Sequence, residues 1–428
     1  MTQSELGTAH AAQPLAPDAR THAGLGRLLA LLFPATTAMY AVYNGIGQIL
    51  LPAQIEAIDP ASKVGNLALI TTIAAVGSLI ALPMGGAVSD RTRSRFGRRT
   101  PWMVVMSVLT AVLLIALAVT DNLIVMGFVV FALLYVTSFH QGAIAAILPD
   151  RIPVERRGLA SSVIGLGTPV GILVGVNLAS RVSPILSYLV LATAFAGFTV
   201  LLVLGSREPS SLSLPPREKA ESRRSPTAFA RSFFSAFSTA DFRRAFVSRF
   251  FLFLAYFTVS GYLFYTMQDY IGKDKLPGGD VAVAVATLST VSTVTWVVVA
   301  GVAGWLADKL DRRKMFVGTS AVGMGVSLLV PILSPTWIGM LVYSVLSGAF
   351  IGIYFAVDLA LMSLVLPDRD NEGRDFGILA VATGLPQILS SVIAGGLILT
   401  LGYSALYVFS ALCAVLSGIV VFRIRSLR

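Results

Sequence analysis

The sequence predicts an all-α integral membrane protein: twelve transmembrane helices arranged as two pseudo-symmetric six-helix bundles. Three observations predict it. Only 13% of the residues are charged while 55% are hydrophobic, about half the charge share of a soluble domain. The apolar residues gather into twelve blocks, most of roughly 17 to 25 residues, the length that crosses about 30 Å of hydrocarbon. The second six blocks also repeat motifs found among the first six. Lipid offers no partner to an unpaired backbone group, so such blocks fold as helices.

In chain order the blocks are 27–51, 66–88, 102–120, 123–147, 159–180, 185–205, 246–268, 281–306, 315–333, 337–366, 376–399 and 402–422. Residues 1–26 form a polar tail that lacks the ordered basic start, apolar core and cleavage site of a secretory signal. Block 27–51 is therefore an uncleaved first span. Residues 27–205 make one bundle and 246–422 the other. Between them lie residues 206–245, including SREPSSLSLPPREKAESRRSP, with the composition of a flexible linker. Residues 423–428 form a short tail. Cys413, the one cysteine, falls in the last span, which excludes an intramolecular disulfide.

A net charge of +10 in a soluble chain would raise nucleic acid as a partner. Here the basic residues are sorted by loop. Of 32 Lys and Arg, only Lys63, Arg181, Lys273 and Lys275 fall on one side, leaving 28 for the other. The positive-inside rule places both termini and the linker in the cytoplasm, as expected of a multi-pass protein of the plasma (inner) membrane. Nucleic acid is thereby removed as a partner, and the bilayer takes its place.

The repeat is visible in two motifs. GGAVSDRTRSRFGRR surrounds Asp90 and AGWLADKLDRRK surrounds Asp308; LPDRIPVERRG begins at Leu148 and LPDRDNEGRDFG at Leu366. Both pairs give an offset of 218 positions, which indicates a duplicated six-helix unit. An even number of helices per unit inserts both copies in the same orientation, related by an axis along the membrane normal.

These motifs carry a resemblance. The Gly-x-x-x-Asp-Arg loop after the second span, its weaker echo after the eighth and the six-plus-six layout resemble the major facilitator superfamily over nearly the whole chain. The stretch SDRTRSRFGRRTPW is similar to the loop of the sucrose-type and glycoside–cation symporters. The resemblance implies a secondary transporter that rocks two bundles around a central site. It also implies gates on the cytoplasmic side, with Asp90 facing the start of span eleven near Phe376 and Asp308 the start of span five near Gly158. Gly85 and Gly86 leave room for close helix approach, and a carboxylate at a helix N-terminus is stabilised by about 0.3–1 kcal/mol. Arg91, Arg98 and Arg99 add pairs with Asp150, Glu155, Glu372 or Asp375, and Arg312 and Asp368 are further gating candidates from the second half. Arg93 and Arg95 read as topogenic charges.

Charged groups inside spans tend to mark pathways. Asp358 is the one carboxylate deep within a span and His140 the one intramembrane histidine. Each lies eight residues before its LPDR motif, about 12 Å from the cytoplasmic end and so near the midplane, and the 218-residue offset superposes them. The resemblance implies that spans one, four, seven and ten line the cavity. Tyr40, Asn44 and Gln48 share one face of span one, as do Ser347, Tyr354 and Asp358 of span ten. Gln141, Tyr262, Tyr265, Asp269, Ser289, Thr293 and Trp296 complete the candidate set. Hydroxyls and amides beside aromatic rings suit a polyhydroxylated solute, although membrane Ser and Thr also bond their own backbone and tyrosines also anchor at interfaces. A carboxylate in low dielectric is accommodated by a proton or by a neighbouring cation, which makes Asp358 the candidate for proton coupling, with His140 beside it. Arg249 reads as snorkelling at the inner surface.

Departures from the relatives bound the expectation. Glycoside–sodium symporters carry aspartates on the second span where this chain has Leu82 and Ser78. Plant-type sucrose carriers have an arginine where Ala145 follows Gln141 and Gly142. The expected function is therefore proton-coupled symport of a sugar, glycoside or polyol by a monomer. The alternatives are a drug–proton antiporter, for which GLGTPVGILVG (Gly165 to Gly175) has the glycines but no Gly-Pro pair, and a non-transporting receptor. No catalytic cluster or metal-ligand spacing points to an enzyme or a cofactor.

Overall fold

The computed structural model describes residues 19–212, 237, 239–364 and 372–424, and it is helical throughout, with no strand among them. The first half contains α1 (Ala19–Gly45, carried on through a π-helical turn, Ile46–Leu50, and Leu51–Ile58), α2 (Lys63–Arg91), α3 (Thr100–Ala118), α4 (Leu123–Ala145), α5 (Arg157–Arg181) and α6 (Pro184–Gly205). The second contains α7 (Ala240–Ser260, then Leu263–Tyr265 and a π-helical turn, Thr266–Gly272), α8 (Val281–Leu310), α9 (Arg313–Ser327), α10 (Trp337–Leu364), α11 (Glu372–Leu401) and α12 (Tyr403–Phe422). Eleven helices are long and apolar enough to cross a membrane, and α7, bent by 49° after Ser260, makes the twelfth.

Local chemistry sets the ends. Asn122 caps α4 by accepting from the amides of Ile124 and Val125, and Asp280 caps α8 by accepting from Val283, each satisfying donors that open a helix. Gly272 and Gly402, with φ of 95° and 82°, turn the chain after α7 and before α12 where a side chain would be strained. Helix α7 starts at Ala240, six residues before the apolar block, because the charged first turns of a span need not be apolar.

The two halves are built alike. In the first, α2 packs on α4, α1 on α5 and α6, and α3 on α4 and α6; in the second, α8 packs on α10, α7 on α11 and α12, and α9 on α10 and α12. Each pairing recurs six helices later. The halves meet through α2 against α11 and α5 against α8, again an equivalent pair. The closest approaches rest on glycine: a Cβ at Gly85 would run into the Phe139 carbonyl and one at Gly142 into that of Leu82, joining α2 to α4. In the second half a Cβ at Gly352 would lie 2.6 Å from the Trp296 carbonyl. The π-helical turns also match, since the 218-residue offset carries Gln48 to Thr266. Such turns re-aim side chains and recur at functional sites.

Candidate functional site: a cleft between the halves

The loop from Thr92 to Arg99 marks one side of the molecule, the basic side; the opposite one is the far side. A narrow cleft with about 70 Å³ of free volume lies between the halves. The first half supplies Gln48 and Ile172, and the second supplies walls from α7 to α10. Its polar lining consists of Gln48, Ser260, Ser289, Ser292, Thr293, Ser344 and Ser347, and its aromatic lining of Tyr256, Trp296 and Tyr343. Among the described residues no charged one lines it. Ser289 donates to Gln48 Oε1 at 2.7 Å, bridging the halves, and Trp296 stacks on Phe355 at 5.2 Å between centroids.

Further along α10, toward the basic side, sits a buried ion pair. Asp358 is 1% exposed, and its Oδ2 accepts from Arg249 Nη1 at 2.5 Å. Arg249 Nε also donates to Thr383 on α11 at 3.0 Å, and its guanidinium lies 5.4 Å from the Phe253 ring. The second carboxylate oxygen of Asp358 and the hydroxyl of Tyr354, one turn away, are buried without hydrogen-bond partners. Asp358 lies seven residues, about 10 Å, beyond Ile351 of the cleft wall. Six residues separate it from Leu364, the last described residue of the helix. Tyr354 packs edge-on against Phe253 and Phe355 and does not line the cleft.

The other candidates separate into groups. On the first half Gln48 donates to Asn44 Oδ1 at 2.9 Å, and Asn44 donates to the Tyr40 carbonyl at 2.8 Å. Gln141 donates to the Tyr40 hydroxyl and accepts from Tyr43, which also bonds Ser138, itself 2.6 Å from Ser78. His140 turns away from this set. It is fully buried, with Nε2 3.3 Å from the Thr199 hydroxyl and its ring 4.8 Å from Phe195. The equivalence with Asp358 holds in sequence, but the two side chains occupy different surroundings.

Tyr262 and Tyr265 belong to the closure of the far side. The Tyr265 hydroxyl donates to the Pro52 carbonyl at 2.9 Å, and that of Tyr262 lies 3.1 Å from the Ser391 carbonyl and 3.4 Å from that of Val64. Lys63 bonds Asp269 at 2.8 Å, reaches Glu56 at 3.5 Å and lies over the Tyr265 ring at 5.0 Å. Gln268 donates to Glu56, Tyr403 to Asp269 and Asn177 to Thr290. The contacts of Tyr265 with Pro52, Tyr262 with Val64, Lys63 with Asp269, Gln268 with Glu56 and Asn177 with Thr290 join the halves beyond the cleft, while that of Tyr403 stays within the second half. In the adjoining α1–α2 turn, the Ser62 amide donating to Asp59 holds that carboxyl below the usual carboxylate range.

On the basic side, Arg99 is 3% exposed and binds Asp90, Asp150 at 2.9 Å, the Ser89 hydroxyl at 2.5 Å and the Gly86 carbonyl at 3.0 Å. Arg98 adds a contact to Asp150 at 3.3 Å. The cluster ties α2, the loop and the end of α4 together within one half. Arg91, Glu155 and Arg312 are exposed. Asp308 is exposed and pairs with Arg313 of its own half at 3.3 Å, rather than with α5. Asp368 lies outside the described residues, and of Glu372 only the backbone is described.

Several residues were not legible as site residues. An apolar block beginning at 246 puts Arg249 at a helix end; with α7 starting at Ala240 it lies nine residues inside. Lys63 stood only among the four basic residues of the less basic side, and Glu56 carried no signal of its own. Glu208 of the linker accepts from the amides of Arg99 and Thr100 at 2.9 and 3.1 Å and from the Thr100 hydroxyl, a carboxylate at the N-terminus of α3. Replacing Glu208 by Ala is expected to lower stability by about 1 kcal/mol, read as a lowered midpoint in thermal unfolding of purified protein.

No individual curated protein matches the chain. The family model of the Major Facilitator Superfamily matches residues 29–295 and 245–428. Two six-helix units repeating each other's pairings, joined by equivalent helices over a polar cleft, agree with that match: the chain belongs to the Major Facilitator Superfamily, whose members are secondary transporters.

Proposed function

We propose that this chain is a proton-coupled symporter of a small polar solute, a sugar, glycoside or polyol. It acts as a monomer in the plasma membrane, with its basic side and both termini in the cytoplasm. The observation that carries the reading is the buried Asp358–Arg249 pair, set about two helical turns from an uncharged, hydroxyl-rich cleft. Hydroxyls and the Gln48 amide offer both donors and acceptors to a polyol, while Trp296 and the two tyrosines cover its C–H faces. A lining without charge favours a neutral solute, since an ion there would lack a partner.

Coupling follows from the pair. Ionised Asp358 is held by Arg249. A proton on the free oxygen of Asp358 neutralises the carboxyl and releases the guanidinium, which remains bonded to Thr383. The proton thus changes the contacts between α10, α7 and α11 and biases one arrangement of the halves over the other. Return of the proton to the cytoplasm restores the pair.

Purified protein in vesicles with an imposed pH gradient tests this. Asp358→Asn is expected to abolish uphill accumulation of the solute and to preserve its exchange across the membrane. Undiminished uphill uptake refutes proton coupling at Asp358. Efflux of apolar cations, with no sugar or polyol transported, would replace symport by antiport.

A further inference from the structure

We propose that the α2–α3 loop is a binding surface for the headgroup of an anionic phospholipid, with Arg93 and Arg95 taking the phosphate and Phe96 seated at the acyl boundary. Of the five arginines between Arg91 and Arg99, Arg98 and Arg99 are engaged by Asp150 and Asp90. Arg91, Arg93 and Arg95 are exposed and take part in no ion pair with the described residues. Phe96 is 55% exposed, with the Arg95 guanidinium 4.7 Å from its ring.

The loop is held in place. Ser94 donates its amide to Ser211 and accepts from the Ser211 amide at 3.1 Å, Glu208 packs against Gly97, and Trp102 donates to the Thr92 hydroxyl at 2.6 Å. A loop so pinned cannot reach far from the bilayer. Trp102, half-buried against Phe139, marks the interfacial depth at which indole rings settle. The arginines follow directly outside it, at headgroup level, beside an aromatic ring able to enter the acyl boundary.

The basic-side end of α8 also carries an exposed ring beside a cation, although by the 218-residue offset Trp305 corresponds to Ala87 rather than to Phe96. Trp305 is 63% exposed and the Lys309 ammonium lies 5.0 Å from its ring; by the 218-residue offset Lys309 corresponds to Arg91. At this end of each half an exposed aromatic ring lies beside a cation that makes no ion pair with the described residues, which fits a phosphodiester that carries no balancing amine. A basic surface for a soluble polyanion would not need exposed rings at the membrane boundary. Topology alone would need the charges but not the rings.

Full-length protein in detergent, examined by native mass spectrometry with phosphatidylglycerol and phosphatidylcholine, tests the proposal. Wild type is expected to retain phosphatidylglycerol in preference to phosphatidylcholine, less so as salt rises. Arg93→Gln with Arg95→Gln should weaken retention by about 25-fold, roughly five-fold per charge, and Arg93→Lys with Arg95→Lys should keep most of it. Equal retention of the two lipids by wild type, or of phosphatidylglycerol by the Gln variant, overturns the proposal. So does displacement of the lipid by millimolar inorganic phosphate, which would indicate a site for free anions. The wild-type comparison decides the matter even where the Gln variant fails to fold.

Discussion

Arg249→Met leaves the Asp358 carboxylate buried without its partner, and the expected result is a loss of about 3–5 kcal/mol of stability. The geometry sets that size. Asp358 is 1% exposed and its second oxygen already has no hydrogen-bond partner, so Arg249 supplies its one described charge-assisted bond. Asp358→Asn combined with Arg249→Met removes both charges and is expected to regain most of the loss, because a neutral pair in apolar surroundings is often as stable as the ionic one. The measurement is a double-mutant cycle on unfolding midpoints of the four proteins. Equal destabilisation in the single and double variants would show that the pair does not govern stability here. Transport by the double variant then separates roles, since a fold restored without uphill uptake assigns the charges to function.

Gly395→Trp is expected to arrest the molecule with its far side open. A Cβ at Gly395 would already lie 2.7 Å from the Ala68 Cβ and 3.0 Å from the Tyr262 hydroxyl, at the contact of α11 with α2. An indole there cannot coexist with the closure made by Lys63, Asp269, Tyr262 and Tyr265. Within its own helix the change carries no penalty, because glycine is the poorer helix former by about 1 kcal/mol. Loss of transport would therefore come from the interface and not from unfolding. Cys413, the chain's one cysteine, is 5% exposed, and Cys413→Ala gives a background for a single reporter. Ser292→Cys in the cleft wall should then react with an impermeant maleimide from the far side at least about tenfold faster than without the indole, a shift of about 1.4 kcal/mol between states. Unchanged labelling with intact transport would place the moving contact elsewhere.

The contrast between Asp358 and His140 shows how far the sequence could be read. Block length and loop charge gave the spans, because lipid imposes a helix on any chain that crosses it. The offset between Asp90 and Asp308 gave the duplication, and the structure repeats the helix pairings accordingly. The offset also superposed His140 on Asp358, yet one side chain lies against Thr199 and Phe195 while the other meets Arg249 from a different helix. The surroundings of a side chain depend on neighbours that are distant in sequence, here 59 residues away for Thr199 and 109 for Arg249. Arg249 was hidden for a related reason: its depth follows from where α7 starts, and a charged first turn carries no hydropathy signal. Gln48, Ser289, Trp296 and Ser347 line one cleft because α1, α8 and α10 converge, and spacing along a single helix contains no record of that convergence. Asp269 is separated from Lys63 and Glu56 by a linker and several spans, and nothing local marks it as the partner of Lys63.

The fastening of Ser206 to Ser211 has a practical consequence. Arg151 donates to the carbonyl of Ser206 at 2.8 Å and Ser211 pairs with Ser94, so this stretch travels as part of the first bundle. A cleavage placed just after Leu212 would sever none of the bonds set out above. Two separately produced pieces divided at that point should therefore find each other in the bilayer and reconstitute the whole assembly.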